Sequence, residues 1–131
     1  MDALDELSSH ITDGSRVIVI AEKDVDLRAT SGGNRLFLLK IAEGSLASGG
    51  RGGGFGERKV VAVFCFSLEG GAWEKLFETR EESKVAGFEV PYYVSRVPFT
   101  LADGTEAMGY GVVEPDLVNQ LAAKAGIPSS P

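Results

Sequence analysis

The run Lys59-Val60-Val61-Ala62-Val63-Phe64-Cys65-Phe66-Ser67 is too short and too β-branched for a helix, and seven glycines among the thirteen residues from Gly44 to Gly56 lead into it. It reads as a strand buried on both faces, since a half-exposed strand would alternate apolar with polar residues. Val17 to Ala21 and Leu36 to Ala42 repeat the pattern. A chain with three such strands must lay something over both faces of its sheet. At 131 residues it fits one domain, 1–131, large enough to bury roughly two thirds of its unfolded surface without disulfide or metal staples.

The remaining elements follow from periodicity and turn chemistry. Leu4, Leu7 and Ile11 fall at helical spacing, with Asp2, Asp5 and Glu6 where the helix dipole favours negative charge. A strand from Arg16 to Glu22 is expected to continue, half-exposed, through the alternation of Lys23 to Arg28. Thr30 to Asn34 is turn chemistry ahead of a strand from Arg35 to Ala42. Gly70 and Gly71 stand at hairpin spacing after the strand 59–68, which favours a strand over a helix for Ala72 to Arg80. Arg80 to Lys84 reads as a charged loop or helical turn. Gly87 to Val97 is strand-like, yet Pro91 and Pro98 cannot donate to a ladder, so it should lie at an edge or bend. A turn at Leu101 to Thr105 leads to a strand from Glu106 to Val113. Pro115 then opens a helix carrying Leu117, Val118, Leu121 and Ala122 on one face, and Gly126 with Pro128 stops it. Residues 128–131 are expected to fray.

The expected fold is α+β: a five- to six-stranded, mainly antiparallel, strongly curved sheet with short N-terminal and C-terminal helices. Two such helices are expected to cover one face. The second face must close by curling or against another subunit, and a homodimer is the expected state.

Composition narrows the function classes. The chain is 44% hydrophobic and 24% charged with a formal charge of -6, which opposes binding to phosphate backbones, so nucleic acid is an unlikely partner. No apolar stretch approaches membrane-spanning length, and the acidic amino terminus does not resemble a secretory signal. A cytoplasmic protein without a membrane partner is expected, and the single cysteine, Cys65, fits a reducing compartment.

No strong catalytic motif is present. The glycine loop, residues 44–58, lacks the Gly-Lys pair of a nucleotide P-loop and the spacing of a dinucleotide fingerprint. A mobile, dispensable hairpin connection is expected there, with Arg51, Arg58 and Lys59 as a weak anion-binding group. His10 is expected to face solvent on the first helix, and Cys65 to pack in the core. One histidine and one cysteine leave no conventional zinc site, and no cofactor is expected. Glu22, Asp24 and Asp26 would line one face if the first strand continued, and Glu106 and Glu114 bracket the last strand.

The segment from Phe88 to Tyr110 carries the best candidate binding site. Trp73, Phe88, Tyr92, Tyr93, Phe99 and Tyr110 supply aromatic surface, and Arg96 a cation. In an extended chain Tyr92 and Tyr93 point to opposite faces, one towards the core, and Arg96 shares the face of Tyr92. Tyr92, Tyr93 and Arg96 are therefore the expected ligand-binding residues. Two functions compete: a binding or interaction module for a small molecule or protein partner, and a small cofactor-independent isomerase or hydrolase using carboxylates and tyrosines. Carboxylates with raised pKa converging on one cavity would favour the enzyme.

Overall fold

A computed structural model describes residues 2–12, 16–42 and 59–128. Helix α1 (Ala3–Thr12) precedes β1 (Val17–Ala21), β2 (Val25–Asp26) and β3 (Asn34–Ile41). Beyond the glycine-rich segment come β4 (Val60–Glu69), β5 (Ala72–Thr79), the short α2 (Glu82–Val85), β6 (Ser95–Thr100), β7 (Glu106–Val113) and α3 (Pro115–Ala125). Gly70 and Gly71, at φ 65° and 91°, both take the left-handed conformation that lets β5 fold straight back along β4. Proline opens α3, and Gly126, left-handed at φ 75°, turns its amide back to the Ala122 and Ala123 carbonyls to close it. No helix among the described residues is long and apolar enough to cross a membrane.

The strands form one open sheet in the order β2-β6-β7-β1-β3-β4-β5. It has seven strands, not five or six, and two of its six pairings, β1 with β7 and β2 with β6, are parallel. The additional strand is β2. After Ala21 the chain leaves the line of β1 instead of continuing it, crosses to the outer edge of β6, and sets Val25 and Asp26 beside Phe99 and Thr100. The alternation in 23–28 is genuine strand chemistry, with Val25 and Leu27 buried, but it belongs to a different strand. Similarly, only the end of the 87–97 segment pairs. Buried Val85 and Phe88 pin the chain against the sheet face, and the ladder begins at Ser95.

The sheet curls. The Leu27 amide bonds the Thr100 carbonyl, while the Thr30 carbonyl lies 3.4 Å from where a Cβ on Gly71 would stand. Four residues of chain span at most about 14 Å, whereas β2 and β4 would lie about 24 Å apart across a flat sheet. The turn between β4 and β5 is therefore bent round towards the loop after β2.

The helices lie on opposite faces, contrary to the expectation that they share one. On one face Leu7 of α1 joins Val19, Leu36, Leu38, Phe64, Phe66, Trp73 and Phe99. On the other, Val118, Leu121 and Ala122 of α3, with Val85 and Phe88, join Ile18, Ile20, Phe37, Leu39, Val63 and Cys65. The two-sided apolar strands β1, β3 and β4 are thus covered within one chain. Each fully buried Leu, Ile or Phe contributes roughly 1.5–3 kcal/mol, so these central strands carry most of the stability.

His10 also departs from expectation, being buried under α1. Its ring lies 4.6 Å from that of Phe64, and its Nε2 lies 3.4 Å from a Glu6 carboxylate oxygen. Glu6 accepts from Lys75 of β5 at 3.0 Å, Lys75 also donates to Glu78 at 2.5 Å, and Arg80 pairs with Glu78 while sitting over the Phe64 ring. A chain of ion pairs thus ties α1 to the edge of the sheet.

Candidate interaction face

On the α3 side of the sheet, β6 and β7 are not buried as their neighbours are. Their register sets Arg96 opposite Tyr110, Pro98 opposite Met108 and Thr100 opposite Glu106, three rows of side chains on one face. Across the parallel pairing Tyr110 adjoins Ile18, which is fully buried beneath α3, yet Tyr110 is 46% and Met108 51% exposed. At this row the cover ends at β1, while Val112, farther along β7, still packs against the α3-side core.

The reverse of the same strands explains why the large side chains gather here. A Cβ on Gly109 would stand 2.4 Å from the Phe99 ring, and one on Gly111 the same distance from the Val19 carbonyl oxygen. The inner face of β7 has room only for glycine at these positions. Phe99 folds over Gly109 into the core, and Met108 and Tyr110 are left to fill the outer face.

Tyr92 and Tyr93 precede this strand pair in irregular chain, so strand parity does not apply to them. Both are exposed, Tyr92 at 95% and Tyr93 at 55%, and neither joins the core. The Tyr93 hydroxyl donates to the carboxylate of Glu114, the residue that joins β7 to α3, and so continues the face beyond the Arg96–Tyr110 row. Arg96 is exposed, and its neighbour across the ladder is Tyr110. Of the expected anion-binding group, Lys59 is exposed beside the start of β4, while Arg51 and Arg58, like the glycine loop itself, lie outside the described residues.

Elsewhere the candidate chemistry is structural. Burial pushes the Cys65 thiol up to about 12, so it stays protonated and unreactive at neutral pH. Glu22, Asp24 and Asp26 do not share a strand face. A Glu22 carboxylate oxygen accepts from the Arg35 amide, the Asp24 carbonyl accepts from Asn34, and Asp26 pairs with Arg28. Glu106 and Glu114 stand at opposite ends of β7. For Glu78 the Lys75 hydrogen bond holds the carboxyl below its ordinary range; for Asp26 the Arg28 bond does the same, and for Asp103 the Thr105 hydroxyl. Burial pushes Glu6 up, but the bonds and charges of Lys75 and His10 outweigh it and the net shift is downward. Among the described residues, no group of three or more His, Cys, Asp and Glu side chains could hold a metal ion.

Comparison with protein-family models, curated proteins and solved structures gave no match, so the site stands on its geometry alone. Arginine, tyrosine and methionine side by side on an open sheet make a surface rich in the residue types of protein interface cores. From sequence, Pro98 is marked only as a bar to full strand pairing, and Met108 is not marked. The sequence signal for Met108 is the alternation of Gly109 and Gly111 with Met108 and Tyr110, which leaves one face of β7 bare at its middle and sets the large side chains there on the other.

Proposed function

We propose that this chain is a non-catalytic interaction module of the cytoplasm that holds a protein partner on the outer face of β6 and β7. The supporting observation is the abrupt change along one sheet: Ile18 fully buried, and beside it Tyr110 open to solvent in line with Arg96, Pro98 and Met108. Large side chains held on a rigid ladder lose little entropy on binding, and tyrosine and arginine give the largest returns on desolvation. Among the described residues, the carboxylates whose pKa is displaced all move downward, as ion-paired and hydrogen-bonded groups do and as general acids do not. That favours the interaction reading over a carboxylate–tyrosine enzyme. A buried free thiol suits the reducing cytoplasm.

The test is site-specific photo-crosslinking in the cells that make the protein, from position 110 and, as a control, from the exposed Leu76 on the opposite sheet edge. Discrete protein adducts are expected from 110, and Arg96→Ala should weaken them. Adducts from neither position, or equal adducts from both, would contradict the proposal.

A further inference from the structure

We infer that the β6–β7 face is self-complementary and that its protein partner is a second copy of this chain. The inference rests on the reading of that face as an interaction surface and names the occupant. In its three rows the charged side chains are Arg96 at one end and Glu106 at the other, with Pro98 and Met108 in the middle row. Two rows separate along a strand by about 7 Å, so the opposite charges stand about 14 Å apart with an apolar centre between them.

A two-fold axis running across the strands through the middle row converts this pattern into its own complement. Met108 and Pro98 meet their counterparts at the centre, and the row of Arg96 and Tyr110 lies over the partner's row of Thr100 and Glu106. The facing Glu106 is then one strand spacing, about 5 Å, to the side of Arg96, within reach of an arginine side chain. Each dimer gains two such ion pairs at the rim of an apolar core, the usual layout of a protein interface. The reverse pairing, with rows in parallel, would set Arg96 beside Arg96 and Glu106 beside Glu106. The charges therefore select one orientation as well as one partner. Of the neighbouring charges, Asp26 is paired with Arg28, and Glu114 lies four residues beyond Tyr110, about 14 Å from the Arg96 row. Six side chains make a contact smaller than the standard interface of about 800 Å² per partner, so the pairing should be reversible.

Sedimentation velocity on the purified chain, from low micromolar to submillimolar concentration, tests this with Arg96→Glu, Glu106→Arg and the double exchange. All three replace exposed side chains, and circular dichroism checks that the fold is kept. The wild-type chain is expected to show a concentration-dependent dimer. Each single reversal should weaken it roughly 30-fold, the swing when two surface ion pairs become two repulsions, and the double exchange should restore it. A wild-type chain that stays monomeric throughout, single reversals without effect, or a double exchange that fails to recover would each overturn self-pairing. Crosslinks in cells from position 110 to a different protein, with a monomeric purified chain, would overturn the second copy and leave the interaction face standing.

Discussion

At Gly111, one of the two glycines that keep the inner face of β7 bare, a missing Cβ lets β7 lie close against β1. A side chain there would drive a Cβ to 2.4 Å from the Val19 carbonyl oxygen and 3.3 Å from a Val97 methyl. The first is backbone in the paired strand β1 and cannot rotate away. Gly111→Ala is therefore expected to cost about 2 kcal/mol or more by overpacking, measured as a fall in the chemical denaturation midpoint. At Gly70 the backbone is left-handed but open to solvent, with nothing within 4 Å of its Cβ position. Only the strain of a left-handed residue is at stake there, so Gly70→Asn should be nearly neutral. Equal losses at both sites would mean that β7 and β1 yield more easily than their close approach implies.

At the scale of elements, α1 is held to the sheet by buried Leu7 and His10 and by the ion-pair chain from Glu6 through Lys75 to Glu78 and Arg80. Glu6 and Glu78 are lowered in the fold, so their contribution is present above the ordinary carboxylate value of about 4.3 and is lost as pH falls through the lowered one. Lys75 is held above its ordinary value, chiefly by the bond to Glu78, so its contribution is intact at neutral pH and goes only in strong base. Stability measured from pH 6 to pH 3 should therefore fall with acid, and Glu78→Gln should flatten the fall. An unchanged slope in the variant would mean that the network is too well solvated to matter. Much of this level was legible in the sequence, and the losses have specific causes. Buried strands declare themselves by unbroken apolar runs, and α3 by its proline and glycine ends, so β1, β3, β4, β5, β7 and α3 were all expected near their observed bounds. The two-residue β2 has too few residues to show a period, and periodicity does not say which strand a short segment joins. His10 was misplaced because a polar side chain on a helix reads as solvent-facing until Phe64 and Glu6 are brought beside it by the fold. Tyr92 and Tyr93 were assigned by strand parity in a segment where Phe88, packed on the core, prevents a strand from starting.

Across the whole molecule, a curled sheet is covered on both faces over its centre and uncovered on one face at β6 and β7. Sheet coverage by helices on opposite sides removes the need for a second subunit to complete the core, so any pairing belongs to the exposed rows and should leave the fold of the monomer unaltered. The central claim, that these rows are where the protein makes contact, has a direct reporter. The chain has two methionines, Met1 and Met108, and Met108 stands in the middle row of the face. With methyl-labelled methionine the NMR spectrum contains two methyl signals, one of them a probe of the proposed contact. On raising the concentration of the purified chain, the Met108 methyl signal is predicted to shift or broaden progressively. A Met108 signal unmoved under conditions where sedimentation shows association would contradict the account.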